Sequence, residues 1–373
     1  MLSEDFLPNV GGITSHIVYL SKALGERGHK VSVLKPSQKE RAKFKHEYGF
    51  DVIHLKKKQT DCLNKIYIRN QIKNLFEKEE FDILHWHQLI GYETKFLQNV
   101  PKVFTNHTSM YLEEYEKVLG RMRLKFMLSH ADVIISPSRE LKRKSSILYP
   151  RFGNYYISNG VDEKKFSTAL KSRETKFEFI WKKKNKDKLV ILCPRRLEPK
   201  CGVKYFIESI PLILQKNDNC YFVVAGCGGF FAEERRLKKY LDEKGVLNQV
   251  SFLGDVKNED MPHLYKLSDI VVFPSLMEAT SISCLEAMSS QKAIVSTNVG
   301  GLPELIENDV DGFLVEARDP IALAEKILKM ANDFKLRGEM GKNARQKVES
   351  CFTWNKIAEK TEQVYQNVLD EYL

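Results

Sequence analysis

Two glutamates, Glu278 and Glu286, have the side-chain type and spacing best suited to hold a ligand rich in hydroxyl groups. A carboxylate accepts hydrogen bonds from two hydroxyls, as a sugar or a ribose requires. The residues between them are small and hydroxyl-rich, and the turn Asn298-Val-Gly-Gly follows. This combination predicts a pocket for a polyhydroxylated ligand.

The elements around these glutamates predict where they lie. Ile270–Phe273 has the apolar pattern of a buried strand, Glu278 follows it on a loop, and Glu286 falls in the first turns of the next helix. The free backbone N–H groups at the start of a helix favour phosphate. Because ligands of α/β folds bind at the carboxyl ends of strands, we expect the site at that edge of the sheet.

Strand and helix patterns alternate along the whole chain in two series. The predicted strands are 31–34, 51–55, 81–85, 102–105, 132–136, 189–193, 220–226, 250–254, 270–273 and 293–296. A length of 373 residues favours two domains. We therefore predict an α/β fold of two Rossmann-like domains, 1–165 and 166–353, that face each other across a cleft, with a charged linker at 171–188. Only Met1-Leu-Ser stands where a first strand belongs, which is consistent with a native chain that begins earlier.

The net charge of +10 is concentrated in the first series of elements. A basic domain favours an anionic partner, such as a phosphorylated acceptor or an anionic membrane surface, although scattered lysines are also typical of a solvated face. The stretch Arg121–Leu128 mixes basic and large apolar residues at helical spacing, as interfacial helices do. No nucleic-acid motif is present in the sequence, so nucleic acid is not expected as a partner.

Seven scattered cysteines suggest neither a disulfide framework nor a zinc site. The sequence shows no apolar run long enough to span a membrane and no signal-peptide pattern. These features favour a reducing cytoplasm and are compatible with peripheral contact at the inner face of the membrane. The loop Gly226-Cys-Gly-Gly lacks the full dinucleotide-binding spacing, which disfavours a dehydrogenase.

An ordered set of short motifs resembles the retaining family-4 glycosyltransferases, which have the GT-B fold. The set comprises Asn-Val-Gly-Gly at 9–12, Asn-Gly-Val-Asp at 159–162, Arg196-Leu, Phe252-Leu-Gly, the Glu-x7-Glu pair and Gly300-Gly-Leu-Pro-Glu. The resemblance spans nearly the whole chain. It implies that the first domain takes the acceptor, that the second takes a nucleotide sugar, and that the final helix, 354–373, packs back on the first domain.

The resemblance also implies roles for the phosphate-binding residues. Gly11 and Gly12 match a loop near the donor diphosphate, where glycine permits close approach. Arg196 matches the diphosphate-binding arginine, whose planar fork suits phosphate oxygens. The family's partner lysine is expected where Cys201 stands, so Lys200, one residue earlier, is the candidate for that role.

By the same resemblance, Glu278 binds hydroxyls of the donor sugar and Glu286 binds the ribose. Ser281, Ile282 and Ser283 form the turn that offers backbone N–H groups to the donor. In place of an aromatic residue and a glycine, this turn carries side chains, which would narrow the sugar pocket. His107 matches the histidine that binds the transferred sugar. We expect His107 and Glu278 to act in catalysis.

The implied reaction moves a hexose, from UDP-GlcNAc or UDP-glucose, to a hydroxyl with retained anomeric configuration. It uses no cofactor and no metal, and the acceptor is expected to be a lipid-linked or phosphorylated sugar of cell-envelope polysaccharide or glycolipid synthesis. Three alternatives remain open: a GDP-mannose-dependent mannosyltransferase, a catalytically silent GT-B subunit that binds a nucleotide sugar, and a sugar-nucleotide isomerase. His85 and His87 follow another strand, where they either contact the acceptor or pack in the interior.

Overall fold

A computed structural model describes residues 1–7, 11–38, 42–57, 61–87, 96–97, 99–107, 109–150, 153–168, 187–228 and 231–371. Apart from its last two residues, the predicted linker 171–188 lies outside this range. The chain divides into two compact units. The first comprises Met1–Gly160 and the segment that begins at Trp354, and the second comprises Val161–Thr353. The first unit thus ends shortly before the boundary at residue 165 that was expected from the sequence.

The second unit contains a sheet of six strands, β8 Leu189–Cys193, β9 Cys220–Ala225, β10 Val250–Gly254, β11 Ile270–Phe273, β12 Ala293–Thr297 and β13 Phe313–Val315. All six are parallel, and their order in the sheet is β10-β9-β8-β11-β12-β13. Its helices are α6 Val203–Leu214, α7 Phe231–Glu243, α8 Met261–Leu267, α9 Ile282–Ser289, α10 Leu302–Leu305, α11 Pro320–Asn332 and α12 Phe334–Cys351. Apolar clusters cover both faces, which explains why the strand sequences are continuously apolar.

The first unit is also α/β. Its strands are β1 Ser32–Ser37, β2 Lys43–Lys45, β3 Asp51–Lys56, β4 Leu84–Trp86, β5 Lys102–Thr105, β6 Val133–Ser136 and β7 Asn154–Tyr156. Its helices are α1 Gly12–Glu26, α2 Asp61–Phe76, α3 Ser109–Tyr115, α4 Val118–Leu128, α5 Arg139–Leu148 and α13 Trp354–Asp370. The strands form the series β1-β3-β2, in which β2 runs antiparallel, and the parallel series β4-β5-β6-β7.

Leu2 joins these two series of strands. It forms parallel bridges to Leu34 of β1 and to Trp86 of β4. Its backbone N–H donates to the carbonyl of His85 at 2.8 Å, and its carbonyl accepts from the N–H of His87 at 3.2 Å. The short segment that stands in place of a first strand therefore occupies a central position in the sheet.

Helices α1 and α13 pack together over this sheet. Leu20 and Leu24 of α1 share a buried apolar cluster with Ile357 and Val364 of α13. The final helix thus belongs to the first unit. No helix among the described residues has the length and hydropathy needed to cross a membrane. The predicted α/β class and the Rossmann-like form of both units are confirmed.

Candidate functional site

An ion pair between Arg195 and Glu278 lies at the carboxyl ends of two adjacent strands in the second unit. The guanidinium Nη2 of Arg195 donates to Oε2 of Glu278 at 2.5 Å, and each side chain is less than 15% exposed. Arg195 follows β8 and Glu278 follows β11, the strands between which the connection order of the sheet reverses. Ligands of α/β folds bind at this kind of position.

The loop that carries Glu278 is held by close backbone contacts. Gly300 has a φ of +56°, and a Cβ there would lie 1.6 Å from the carbonyl oxygen of Glu278. On the other side, the carbonyl of Lys200 accepts a hydrogen bond from the N–H of Leu276 at 2.8 Å. Only glycine fits at position 300, since any side chain would push the Glu278 loop away.

Arg196 and Lys200, the predicted diphosphate-binding pair, both reach the carboxylate of Glu198. Arg196 Nη1 lies 3.1 Å from Oε1, and Lys200 Nζ lies 3.4 Å from Oε2. The Arg196 side chain is 67% exposed, so it has the freedom to reorient toward a ligand. Cys201 is buried in an apolar cluster. Its thiol therefore cannot take the place of a lysine ammonium group, and Lys200 stays the predicted lysine of this loop.

Helix α9 presents its N-terminus beside the Glu278 loop. Ser281 is its N-cap and accepts from the N–H of Cys284 at 3.2 Å. Ile282 and Ser283 are the first two residues of the helix. Their N–H groups have no acceptor within the helix, as the first-turn groups of any α-helix do not. The turn that was predicted to face the donor thus forms a helix N-terminus.

Glu286 lies on the buried side of α9. The hydroxyl of Tyr265 donates to its Oε2 at 3.1 Å. Burial raises the pKa of Glu286 to about 7, against the lowering effects of Tyr265 and Lys165. A carboxyl group with such a pKa changes its charge near neutral pH, and its ionised form accepts hydroxyl hydrogen bonds more strongly.

In the first unit, Gly11 is the N-cap of α1 and Gly12 is its first residue. A Cβ on Gly11 would meet no atom within 4 Å among the described residues. The fold itself therefore does not require glycine there. Close approach of a ligand, the role predicted for this loop, remains a reason for the residue type.

Three histidines converge in the first unit. His16 projects from the buried side of α1, whereas His87 and His107 follow β4 and β5. Nδ1 of His87 lies 3.0 Å from Nε2 of His107, and the ring centroids of His16 and His107 are 4.3 Å apart. Burial lowers the pKa of all three well below the usual value, to about 4 for His16, with neighbouring histidines adding to the effect on His87 and His107.

His85 has a different environment from His87. Its Nδ1 lies 2.6 Å from the hydroxyl of Tyr365 on α13, and its Nε2 lies 2.6 Å from Oγ1 of Thr105. Both ring nitrogens are thus satisfied inside the unit, which is the packing role considered for His85 from the sequence. His87, in contrast, joins the cluster with His107.

Buried polar atoms that lack a protein partner collect near the carboxyl ends of the strands. In the described part of the first unit these include Nε2 of His16 and of His87, both amide atoms of Asn106, and the hydroxyls of Ser136 and Ser158. Among the residues described in the second unit they include Nε of Arg195 and the hydroxyls of Ser275 and Thr280. Buried polar groups are normally satisfied, so each unit offers hydrogen bonds suited to a polar ligand at this edge.

Sequence reasoning missed Arg195, Tyr265 and His16, and it gave Asn159 no role beyond its place in the motif at 159–162. Arg195 stands next to the residue that matched the family motif, and only the direction of its side chain distinguishes it. His16 could have been found from periodicity, because it lies four residues before Leu20 on the buried face of α1. Tyr265 comes from a helix remote in sequence, and no local pattern points to it.

Comparison with known families adds a separate line of evidence. Residues 10–165 match the family described as Glycosyltransferase Family 4, and residues 175–347 match Glycosyl transferases group 1. The chain is 25% identical to an uncharacterised glycosyltransferase of Methanocaldococcus jannaschii over 99% of this chain and 98% of that protein. It is 27% identical to a human protein named as a subunit of phosphatidylinositol N-acetylglucosaminyltransferase, over 99% of this chain and 75% of that protein.

Solved structures support the same fold. Sucrose-phosphate synthase from Thermosynechococcus elongatus matches with a TM-score of 0.80 at 20% identity, covering 97% of this chain and 94% of that one. The Anabaena protein HepE, solved with UDP and glucose, matches with a TM-score of 0.78 at 19% identity, covering 98% of each chain.

Proposed function

Because this chain belongs to the family-4 glycosyltransferases and is a glycosyltransferase of GT-B type, we propose that it transfers a hexose from a nucleoside diphosphate sugar to a hydroxyl group and retains the anomeric configuration. The observation that carries the proposal is the placement of Glu278, Glu286 and the N-terminus of α9 at one edge of the second sheet. Such a donor has a sugar, a diphosphate and a ribose. The two carboxyl groups suit the hydroxyls of the sugar and the ribose, and the helix N-terminus suits the diphosphate.

We propose UDP-N-acetylglucosamine or UDP-glucose as the donor. The human relative is named an N-acetylglucosaminyltransferase, and the Anabaena structure contains UDP and glucose. Glu278 would accept hydrogen bonds from sugar hydroxyls, and Glu286 from the ribose. Arg196 and Lys200 would bind the diphosphate after turning away from Glu198.

The pairing of Glu278 bears on the reaction mechanism. A carboxylate held by Arg195 is stabilised as an anion and fixed in direction, which suits a hydrogen-bond acceptor more than a nucleophile that attacks the anomeric carbon. We therefore propose a displacement on one face of the sugar. The acceptor oxygen forms the new glycosidic bond as the bond to the diphosphate breaks, and the departing phosphate takes the acceptor proton. The protein supplies positioning and charge stabilisation, and this step needs neither a cofactor nor a metal ion.

The proposed acceptor is a lipid-linked sugar or lipid at an anionic membrane surface. Helix α4 exposes Val118, Leu119, Met122 and Phe126, each more than 60% exposed. Arg121, Arg123 and Lys125 lie among them on the same helix. Apolar side chains beside basic ones are typical of helices that lie in a membrane interface. The human relative's name also specifies a lipid, phosphatidylinositol.

A thermal-shift panel of UDP, GDP, ADP and their common sugars, without added metal, tests the proposed function. A ligand at a hundredfold excess over its Kd stabilises the folded state by about 2.7 kcal/mol. We expect UDP and a UDP-sugar to raise the melting temperature and GDP and ADP to leave it unchanged. A shift with GDP alone would favour the mannosyltransferase. A UDP-sugar shift without release of UDP in the presence of membranes would favour a catalytically silent protein.

A further inference from the structure

The histidine cluster of the first unit has a geometry that the glycosyl transfer does not explain. His16, His87 and His107 each offer one ring nitrogen, and these three atoms lie within 4.8 Å of one another. They come from three different elements, namely α1 and the ends of β4 and β5. The fold therefore brings three separate segments together at this cluster.

The orientation of His16 is fixed by a second residue. Nδ1 of His16 donates to Oδ1 of Asn159 at 2.7 Å, in the interior of the unit. The proton of the neutral ring therefore lies on Nδ1, and Nε2 carries a free lone pair. That Nε2 is buried and has no hydrogen-bond partner among the residues that the structure describes. Metal-binding histidines are oriented in this way, with one nitrogen donating to an oxygen and the other left for the ion.

His87 and His107 complete the arrangement. Nδ1 of His87 and Nε2 of His107 face each other at 3.0 Å, so at most one proton lies between them. Two imidazole nitrogens bound to one tetrahedral zinc ion lie about 3.3 Å apart, as follows from a bond length of about 2.0 Å. The observed separation is thus close to the one that a shared ion requires.

The ring positions agree with the same geometry. A zinc ion bound by imidazoles at tetrahedral angles places the ring centroids about 5 Å apart. The centroids of His87 and His107 are 5.2 Å apart, and those of His16 and His87 are 5.4 Å apart. The pair His16 and His107, at 4.3 Å, would have to separate by about 1 Å to reach this value.

We propose that His16, His87 and His107 form a binding site for a divalent zinc ion, with Asn159 as the residue that orients His16. Neutral imidazoles suit zinc, and three protein ligands leave a fourth position for water or another oxygen ligand. His85 packs against His87 with ring centroids 4.2 Å apart and limits how far that ring can turn.

The site has a functional consequence that rests on the proposed function. His107 is the residue predicted to bind the transferred sugar, so a zinc ion on its ring would occupy a group that the sugar needs. Zinc is therefore expected to inhibit transfer rather than to support it. Binding of zinc itself requires no nucleotide sugar.

Equilibrium dialysis of the full chain against zinc, with no nucleotide present, tests the site. We expect one tightly bound ion per chain. His16→Gln and His107→Gln should each weaken binding by at least about 100-fold, and Asn159→Ala should weaken it by about 10- to 100-fold. His263→Gln, on α8 of the second unit, is the matched control and should bind zinc as the wild type does. A variant counts only if its melting temperature is close to that of the wild type, which shows that it is folded. If one of the histidine variants fails to fold, His87→Gln takes its place.

Substitution of cobalt for zinc distinguishes this site from the cysteines. An all-nitrogen site gives visible d–d bands of a tetrahedral ion and no thiolate charge-transfer band in the near ultraviolet. The proposal is overturned if the wild type binds no more zinc than His16→Gln does, or if a thiolate band accompanies the bound ion. Zinc binding without any response to UDP-sugars would leave this site standing and would contradict only the proposed transfer.

Discussion

The guanidinium of Arg195 binds the carboxylate of Glu278 at the point where the strand order of the second sheet reverses. Both side chains are largely buried, so loss of either one would leave the charge of the other buried and unpaired. This pair fixes the direction of the carboxylate that is predicted to bind the donor sugar. Arg196, the arginine that the family motif selects, points instead toward Glu198 and solvent.

Arg195→Ala is predicted to lower kcat/KM for the UDP-sugar by about 100-fold or more, because Glu278 loses both its partner and its orientation. Binding of UDP alone should change little, since Arg195 contacts no group assigned to the nucleotide. Arg196→Ala should weaken UDP and UDP-sugar alike if it binds the diphosphate. Isothermal titration with both ligands separates the two arginines. Equal losses of UDP affinity in both variants would contradict the distinct roles.

Gly300→Ala is predicted to displace the Glu278 loop, since a Cβ at this position would overlap the Glu278 carbonyl. Gly245→Ala is the matched control. It has a similar φ of +70°, but a Cβ there meets nothing within 4 Å among the described residues. Both substitutions should destabilise the fold by about 1–3 kcal/mol because of backbone strain. Only Gly300→Ala should also lose UDP-sugar affinity, and retained affinity would show that the close contact does not position Glu278.

Glu286 gives the protein a pH-dependent stability. Its pKa is raised from the ordinary 4.5 to about 7 in the fold. Its contribution to stability is therefore fully present below pH 4.5 and is lost as the pH rises through 7, because the folded state must then hold a buried charge. The loss is on the order of 3 kcal/mol.

The variant Glu286→Gln should remove this dependence. Its melting temperature, relative to the wild type, should rise by several degrees between pH 5 and pH 8. Glu325→Gln, which changes an exposed glutamate on α11, serves as the control and should follow the wild type at both values. A constant difference between Glu286→Gln and the wild type would mean that Glu286 does not titrate in this range.

Helix α4 is predicted to bind anionic membranes. Met122→Glu combined with Phe126→Glu places charge on its exposed apolar positions and should abolish sedimentation with vesicles that contain phosphatidylserine. Ile321→Glu, at an apolar position of the second unit that is 62% exposed, is the control and should leave sedimentation intact. Binding should also decrease at high salt, because the lysine and arginine contribution is screened. Equal sedimentation of both variants would contradict a role for α4.

The predicted strands and the two-part α/β organisation follow from apolar runs and turn residues, and these local signals are strong. The short segment at the N-terminus is an element for which such local signals are too weak. Leu2 occupies a central strand position through backbone hydrogen bonds to both strand series, which a run of three residues cannot reveal. The sequence anticipated the short segment but not that it joins the two strand series of the sheet.

The candidate site shows the same limit at the level of side chains. Glu278 and Glu286 could be proposed from residue type, spacing and family resemblance. Arg195 could not, since adjacent arginines differ only in the direction of their side chains. His16 likewise meets His107 through tertiary packing of α1 on the sheet, and the two residues are 91 positions apart. Partners that come from different elements require the fold.

The central claim is that Glu278 binds the sugar and Glu286 the ribose of one nucleotide sugar. Titration of UDP and of the UDP-sugar into the wild type, Glu278→Gln and Glu286→Gln tests it most directly. Glu278→Gln is predicted to keep its affinity for UDP but to bind the UDP-sugar about tenfold or more weakly, and Glu286→Gln is predicted to bind both ligands more weakly. Unchanged affinity of both variants for both ligands would contradict this placement of the donor.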